Sequence, residues 1–307
     1  GSELKSLLEW PGMPRELDAL AMAEYLHFGF VADPRSIWRG ASKLPPGHSI
    51  TVRLGATGLR VGAPSQWWDF AFAPDRSVRD WSPVILDTLA SAVSEMSVSD
   101  VPLGAFLSGG VDSSAVAASL ARGGHSVAAY TIGFDDDPDD ERAWAAQVAE
   151  RYRLDHHVRE VAACDMAGSR DMLAWHFDEP FSDPSALPTL HVCRHARGAL
   201  TVALSGDGGD ESFGGYRRYR LHMMEERLRA AMPLGLRRPL FGALARAYPK
   251  ADWAPRMLRA KTTFEGMSRT PVEAYFHSMS ILRAPMREQL FSPRLRAELG
   301  GYDAQQV

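Results

Sequence analysis

The sequence predicts an α/β fold built on a doubly wound parallel sheet, with a helical C-terminal part and a small N-terminal α+β segment. Between residues 102 and 204, strand-like and helix-like runs alternate, and the strands are continuously apolar. This pattern is typical of a parallel sheet covered on both faces. Glycine-rich turns follow two of the strands, and because open α/β sheets bind ligands at the carboxyl ends of their strands, we expect both turns in one cleft.

The individual elements follow from the spacing of apolar residues and from turn-forming residues. A helix is predicted over 16–28, and a strand over 48–54 is followed by a hairpin return at 59–61. An amphipathic helix over 82–96 leads into the main domain. The alternating region then comprises strand 102–107, helix 112–122, strand 126–133, helix 139–152, strand 156–160, helices 166–177 and 186–197, and strand 200–204. Residues beyond Tyr216 have a wholly helical pattern. We therefore divide the chain into residues 3–70, a linker at 71–81, and a main domain at 82–307.

Composition favours a cytoplasmic protein that binds small molecules. The 307 residues carry a formal net charge of −4, which argues against a nucleic-acid surface maintained by bulk positive charge. No run of eighteen apolar residues is present, so neither a membrane span nor a membrane partner is expected. The two cysteines, Cys164 and Cys193, lack the spacing of metal ligands or of a redox pair, and we expect both to be inert.

The first glycine-rich turn reads Leu107-Ser-Gly-Gly-Val-Asp-Ser-Ser114. Its glycines allow the backbone amides of Gly109, Gly110 and Val111 to approach an anion, and the following helix presents its positive dipole end. The hydroxyls of Ser108, Ser113 and Ser114 add donors, and Asp112 is a candidate ligand for the magnesium that accompanies phosphates. The lysine-bearing G-x-x-x-x-G-K-[ST] motif is absent. The alternative is an ordinary glycine turn with serine caps.

At these residues the chain resembles the SGGxDSS pyrophosphate loop of the ATP pyrophosphatases, which have an adenine nucleotide alpha hydrolase-like fold. The second turn, Ser205-Gly-Asp-Gly-Gly-Asp-Glu-Ser-Phe-Gly-Gly-Tyr216, is similar to a block found in the glutamine-dependent asparagine synthetases. The stretches at 25–40, 43–48 and 67–69 resemble the end of the glutamine amidotransferase domain that precedes the synthetase domain in that family. Residues 3–70 are accordingly interpreted as the C-terminal remnant of such a domain.

The resemblance implies adenylation of a carboxylate with ATP and Mg²⁺ as cofactors. The acceptor, aspartate in the synthetases, would displace pyrophosphate, and ammonia would then displace AMP to give the amide. Asp112 and Asp210 match the family's magnesium ligands, and Asp207 occupies a position associated with proton transfer from ammonia. For Asp210 the alternative is a helix N-cap, and for Asp207 a residue that stabilises the turn.

Further site residues follow from the same resemblance. Backbone groups of Leu107, Ile132 and Gly206 are implied in adenine recognition, and Ser205 in binding of ATP or pyrophosphate. Four residues are candidates for contact with the carboxylate substrate: Asp183, Ser185, Glu211 and Tyr216. For Asp183 and Ser185 the alternative is capping of the helix that begins near Ala186, and for Tyr216 it is core packing.

The sequence is also compatible with two other functions. One is amidation or cyclisation of a different carboxylate, as in polysaccharide, peptide or β-lactam pathways, and the other is nucleotide binding without turnover. No cysteine precedes Cys164, so we expect this chain to use free ammonia, with glutamine as the donor in a full-length parent. Relatives carry a later lysine that contacts the phosphates. Lys261 comes too early to match it, and we expect that lysine outside these residues. The implied partners are small molecules, and a homodimer is left open.

Overall fold

A computed structural model describes residues 1–56, 58–134, 140–162, 168–249 and 260–304. The chain forms two compact units. The sheet unit comprises Ala71–His176 and Asp183–Gly215, and the helical unit comprises Gly1–Phe70, Phe177–Ser182 and Tyr216–Val307. The helical unit is therefore assembled from segments that lie on both sides of the sheet unit in sequence. The expected domain boundaries near residues 70 and 82 stay a prediction.

The N-terminal part of the helical unit contains short helices and two small antiparallel sheets. Strands His48–Ser49 and Ser65–Gln66 form one sheet. Strands Val52–Gly55 and Gly58–Val61 form a hairpin in which Val52 pairs with Val61. The predicted hairpin return is confirmed, but the strand predicted over 48–54 is divided, because its two halves pair with different partners. The elements are α1 (Leu4–Leu8), α2 (Ala19–Phe28), β1 (His48–Ser49), β2 (Val52–Gly55), β3 (Gly58–Val61) and β4 (Ser65–Gln66).

Helix α2 begins three residues later than predicted, because Asp18 caps it. The Asp18 side chain accepts a hydrogen bond from the Ala21 amide at 2.9 Å, which satisfies one of the unpaired donors of the first turn. The helix ends at Gly29, whose φ of 87° is a left-handed conformation that favours glycine. Ala21, Val31 and Ile37 form the small apolar core beside this helix.

Two buried polar side chains of α2 connect it to the C-terminal part of the same unit. The Glu24 carboxylate accepts hydrogen bonds from Arg35 and from the Tyr302 hydroxyl, each at 2.7 Å. Burial and the bond to Glu24 raise the pKa of Tyr302 to about 12, so this hydroxyl stays protonated and can donate. His27 Nδ1 accepts from Arg287 at 2.8 Å. Burial, reinforced by the Arg287 charge, lowers the pKa of His27 and keeps the ring neutral.

The sheet unit alternates strands and helices as predicted. Its helices start up to four residues from the expected positions, as with those that begin at Val111, Arg142 and Arg170. Residues 135–139 and 163–167 lie outside the described residues, and most of the acidic run 135–141 is among them. The elements are α3 (Ser82–Met96), β5 (Leu103–Phe106), α4 (Val111–Arg122), β6 (Ala128–Phe134), α5 (Arg142–Tyr152), β7 (Asp155–Val161), α6 (Arg170–Phe177), α7 (Ala186–Ala196), β8 (Val202–Leu204) and α8 (Gly209–Phe213).

All four strands of this sheet run parallel, in the order β7-β6-β5-β8. The chain moves from β5 outward through β6 to β7 and then returns to the opposite side of β5 to form β8. The register aligns Ala105 of β5 with Leu204 of β8, so the two strands end side by side. A sheet of this order has a topological switch point between β5 and β8.

Apolar side chains from alternate strand residues fill two layers, one on each face of the sheet. On one face, Ala105 and Leu107 pack with Val116 and Leu120 of α4 and with Ala145 of α5. On the other face, a second core contains Tyr130, Ala196 and Leu200, with Phe106 and Ala128 packed against it. Helices therefore cover both faces, and the predicted doubly wound α/β fold is confirmed.

The described residues after Tyr216 form only helices among their regular elements, as predicted. The helix Pro271–Met279 begins with a capping box, in which Thr270 and Glu273 each bond the other's backbone amide. No helix in the described part of the chain combines the length and the apolar character that a membrane span requires. The elements are α9 (Arg217–Ala230), α10 (Leu234–Ala247), α11 (Lys261–Met267), α12 (Pro271–Met279), α13 (Ala284–Leu290) and α14 (Pro293–Leu299).

Replacement of Gly104 by alanine is expected to destabilise the protein. A Cβ atom on this β5 residue would lie 2.5 Å from a methyl carbon of Leu200 and would also overlap the Ala128 carbonyl oxygen. Overpacking of this kind costs about 1–3 kcal/mol. Urea unfolding of Gly104→Ala measures the loss. Gly198→Ala is the matched control, because its Cβ would meet no atom within 4 Å, and its stability should change by less than about 1 kcal/mol.

The lowered pKa of His27 predicts that acid weakens the helical unit. Since the folded pKa lies below the unfolded value of 6.5, the stabilisation is fully present above that pH and is lost as pH falls below it. His27→Gln keeps a hydrogen-bond acceptor but cannot titrate. Urea unfolding at about pH 7.5 and 5.5 should therefore give a smaller loss of stability on acidification for His27→Gln than for the wild type. The partly exposed His48→Gln is the control, and an equal loss in His27→Gln would contradict the prediction.

Candidate active site

The candidate site lies at the carboxyl ends of β5 and β8, where the strand order reverses. The loop that follows β5 connects Leu107 to α4, and the loop that follows β8 connects Ser205 to α8. Because β5 and β8 are neighbours in register, these loops begin next to each other. Both predicted glycine-rich turns are thus at one switch point, the usual ligand position in open α/β sheets.

The first loop is held in shape by its own serines. The Ser108 amide donates to Ser113 Oγ at 3.2 Å, the two serine hydroxyls are 2.9 Å apart, and the Gly110 amide donates to Ser108 Oγ at 3.2 Å. Gly110 is the N-cap of α4, and no side chain caps that helix. The first-turn amides of α4 therefore remain the natural donors for an anion.

Two of the predicted donors in this loop differ in accessibility. Ser114 Oγ is buried and has no hydrogen-bond partner among the described residues, so it reaches a ligand only after rotation about χ1. Val111 is 85% exposed, and its amide belongs to the open first turn of α4. Backbone amides, more than side-chain hydroxyls, are thus positioned to bind phosphate oxygens.

Gly109 is required by conformation and by space. Its φ of 87° lies in the left-handed region, and a Cβ there would lie 2.6 Å from the Ala145 amide nitrogen and 2.7 Å from Trp144 Cβ. The loop therefore rests directly on the first turn of α5.

The second loop packs against the first through two glycines. A Cβ on Gly206 would lie 2.5 Å from the Ser113 amide nitrogen. A Cβ on Gly209 would lie 2.7 Å from both carboxylate oxygens of Asp112. The Asp112 carboxylate thus lies against the backbone of the Ser205–Gly209 loop, and the two motifs, about ninety residues apart in sequence, form one surface.

Asp210 is the second residue of α8 and directly follows Gly209. Its carboxylate lies against Gly215, where any Cβ would overlap Oδ1. The N-cap of α8 is Gly208, with φ of 91°, so the alternative interpretation of Asp210 as an N-cap is wrong. The exposed Glu211 follows on the same short helix.

These carboxylates are compatible with magnesium. Among the described residues there is no cluster of three or more His, Cys, Asp or Glu side chains that would hold a metal by itself. Mg²⁺ usually takes one or two carboxylates and completes its octahedron with phosphate oxygens and water. Asp112, whose carboxylate lies against Gly209, and Asp210, which follows Gly209 in sequence, are the candidates to hold an ion that arrives with a nucleotide.

Asp207 forms a local turn with Ser205. Ser205 Oγ donates to Asp207 Oδ2 at 2.9 Å, and the Asp207 amide donates to Ser205 Oγ at 3.4 Å. This is the turn-stabilising arrangement considered for Asp207, and its role in proton transfer stays a prediction.

Burial and the nearby Asp207 charge raise the pKa of the Cys193 thiol, which disfavours the reactive thiolate.

The predicted adenine contacts lie at the ends of β5 and β6. Leu107 is buried, and its amide donates to the Tyr130 carbonyl at 3.0 Å. Backbone groups alternate in direction along a strand, so those of Ile132 face the same side as those of Tyr130, toward β5. The regular part of β5 stops at Phe106, two residues short of the level of Ile132.

Three of the four residues predicted to contact the carboxylate substrate belong to the sheet unit, and Tyr216 belongs to the helical unit. Asp183 Oδ1 accepts from the Ser185 amide at 2.8 Å, and Ser185 is the N-cap of α7 but makes no side-chain capping bond. The Asp183 carboxylate therefore bonds the amide of the N-cap residue and not an amide of the first helical turn. Tyr216 belongs to the helical unit, where the Arg218 guanidinium lies 4.3 Å from its ring centroid. The substrate roles of these residues stay predictions.

Sequence reasoning missed three residues that hold the site residues in place. Thr131 on β6 donates a hydrogen bond to the Leu107 carbonyl, and His156 on β7 bonds the same hydroxyl. Gly215 was also missed, although it accommodates Asp210. For Thr131 and His156, the available signal in the sequence was a threonine inside an otherwise apolar strand.

The comparison with protein families agrees with this geometry. Residues 84–300 match the asparagine synthase family model, and residues 1–68 match a glutamine amidotransferase domain. The chain belongs to the asparagine synthase family. The family resemblance of both glycine-rich turns, and that of the N-terminal stretch to an amidotransferase domain, are confirmed.

Curated relatives support this membership. The chain is 28% identical over 285 residues to an asparagine synthetase (glutamine-hydrolysing) of Bacillus subtilis, covering 91% of this chain and 43% of the relative. It is 31% identical over 293 residues to a putative asparagine synthetase of Mycobacterium tuberculosis, covering 94% and 43%. An amidase of Penicillium rubens is 28% identical over 217 residues, covering 63% and 31%. The chain spans about two fifths of the length of the two synthetases.

Substitution of Gly209 by alanine is expected to displace the Asp112 carboxylate, because the new methyl group would occupy its position. If this carboxylate holds the metal of a bound nucleotide, the affinity for ATP·Mg²⁺ should fall by tenfold or more, on the order of 1.4 kcal/mol. Isothermal titration calorimetry measures the change. Gly198→Ala is the control, because Gly198 precedes β8 at the amino-terminal edge of the sheet and its Cβ would meet no atom within 4 Å. Unchanged affinity in Gly209→Ala would contradict the expectation.

Proposed function

We propose that this protein carries the nucleotide-binding core of an ATP-dependent amidating ligase that activates a carboxylate as an acyl-adenylate. The observation that carries the proposal is the contact between the Asp112 carboxylate and the glycine backbone of the second loop at the switch point. This contact combines the open amides of α4, suited to phosphates, with two carboxylates suited to magnesium. Membership of the asparagine synthase family supports the same chemistry.

In the proposed reaction, a carboxylate oxygen of the acceptor attacks the α-phosphorus of ATP, and pyrophosphate leaves with its bridging oxygen. Ammonia then attacks the acyl carbon, the bond to AMP breaks, and the amide forms. Transfer of this kind depends on positioning and charge neutralisation more than on a protein nucleophile. The amides of Gly109 and Val111 would bind the departing pyrophosphate, with Asp112 and Asp210 holding Mg²⁺. The Gly110 amide would join them on giving up its bond to Ser108 Oγ. When bound, this ion would neutralise charge on the phosphate oxygens.

We propose aspartate as the acceptor and asparagine as the product. The similarity to asparagine synthetases over more than 90% of this chain supports this choice. An acceptor other than aspartate is the second candidate, which the similarity to a fungal amidase favours. Small-molecule partners, a cytoplasmic location and ammonia as the nitrogen donor are part of the same proposal.

ATP–pyrophosphate exchange with Mg²⁺ and L-aspartate tests adenylation directly, because it requires only the first step. Exchange is expected to depend on aspartate, to stop when EDTA removes the metal, and to fall at least about 100-fold in Asp112→Asn. Asp100→Asn is the control, because Asp100 precedes β5 at the opposite, amino-terminal edge of the sheet.

The results of the exchange assay distinguish the candidate functions. If exchange requires a different carboxylate, that carboxylate is the acceptor in place of aspartate, and the reaction class stays as proposed. ATP binding in calorimetry without exchange for any carboxylate would indicate nucleotide binding alone. Absence of ATP binding would overturn the proposed function.

A further inference from the structure

A buried chain of hydrogen bonds connects three strands of the sheet beneath the first loop. Thr131 Oγ1 lies 2.5 Å from the Leu107 carbonyl oxygen and 2.8 Å from His156 Nε2. Thr131 is 3% exposed and Leu107 is 1% exposed. The three residues come from β6, the end of β5 and β7, so the chain of bonds crosses the sheet at its ligand-binding edge.

The direction of each bond follows from the chemistry of the groups. A carbonyl oxygen can only accept, so the single hydroxyl proton of Thr131 goes to Leu107. Thr131 Oγ1 must then accept from His156, which fixes the ring proton on Nε2. Burial, with a contribution from the neighbouring His157, lowers the pKa of His156, so the neutral Nε2–H form is favoured at neutral pH.

The peptide between Leu107 and Ser108 is consequently held at both ends. Its carbonyl accepts from Thr131, and its amide donates to Ser113 Oγ at 3.2 Å. This peptide is the entry to the Gly109–Gly110 turn, whose two glycines have the greatest conformational freedom in the loop. A fixed entry peptide limits that freedom and directs the turn toward the first turn of α4.

Packing alone does not explain a hydroxyl at this position. Valine has nearly the same shape as threonine and suits a buried strand, whereas a buried hydroxyl loses its hydration and requires partners. In a regular parallel ladder the Leu107 carbonyl would accept from a strand amide. Here the hydroxyl takes that place, so the ladder between β5 and β6 ends at the loop.

We propose that Thr131 and His156 are positioning residues that preorganise the nucleotide-binding loop through the Leu107–Ser108 peptide. The inference rests on the proposed function in one respect, that the loop binds ATP. Preorganisation strengthens binding because the ligand then meets amides that are already ordered. Neither residue needs to touch the nucleotide for this effect.

Thr131→Val removes the hydroxyl at nearly constant shape, and Thr131→Ser restores it. The affinity for ATP·Mg²⁺ in calorimetry is expected to fall about fivefold to tenfold in Thr131→Val and to stay near the wild-type value in Thr131→Ser. His156→Leu should weaken binding in the same direction and by less, since it removes only the second bond. Thr88→Val is the matched control, because Thr88 Oγ1 also donates to a backbone carbonyl, that of Val84, but on the exposed surface of α3.

Hydrogen–deuterium exchange of the Ser108 amide provides a readout that needs no ligand. Exchange should accelerate at least about fivefold in Thr131→Val and His156→Leu, relative to amides in the middle of α4, and stay unchanged in Thr131→Ser and Thr88→Val. A purely structural role would raise exchange throughout the sheet unit and would not spare the middle of α4. Should Thr131→Val fail to fold, His156→Leu and Thr131→Ser carry both measurements.

The results distinguish the two proposals. If the wild type binds ATP and folded Thr131→Val binds it equally well, with unchanged Ser108 exchange, the positioning role is overturned. If the wild type does not bind ATP, the proposed function fails, and Ser108 exchange alone then decides whether Thr131 and His156 order the loop.

Discussion

The candidate site depends on the close approach of two loops, which glycines in the second loop permit. Gly206 and Gly209 bring the second loop against Asp112 and the first turn of α4, at distances that leave no room for a Cβ atom. The parallel pairing of β5 with β8 makes this approach possible, because it aligns the ends of the two strands. The candidate anion-binding amides and the candidate metal ligands are therefore combined only when the sheet has its full strand order.

Within this arrangement the side chains and the backbone have different tasks. The hydroxyls of Ser108 and Ser113 are engaged with each other and with loop amides. The groups that remain for an anion are the amides at the start of α4, which the fold orients without side-chain rotamers. A site made largely of backbone donors tolerates changes in side chains but not changes in the path of the chain, and this is consistent with glycines at its tightest contacts.

The sequence was sufficient for the parallel α/β class, for both glycine-rich turns and for their position after strands, because these depend on local composition and periodicity. Helix starts were displaced, as at Arg142, because caps and tertiary contacts decide the first turn. The roles of Thr131 and His156 were not predictable, since they depend on which strands become neighbours. The role of Asp183 was ambiguous in the sequence, because an aspartate before a helix suits capping and substrate contact equally well. Its bond to the Ser185 amide depends on the path of the backbone, which the sequence does not give.

The helical unit has a consequence for the order in which the protein is made. Its α2 helix is synthesised before the sheet unit, yet Glu24 and His27 bond Tyr302 and Arg287 more than 250 residues later. The sheet unit, by contrast, is nearly continuous between residues 71 and 215. Because domains generally fold as units during synthesis, the sheet unit can complete its core first, although α2 leaves the ribosome before it. Until Arg287 and Tyr302 have been added, Glu24 has only Arg35 as a partner among the described residues, and the buried His27 ring lacks the guanidinium that bonds it.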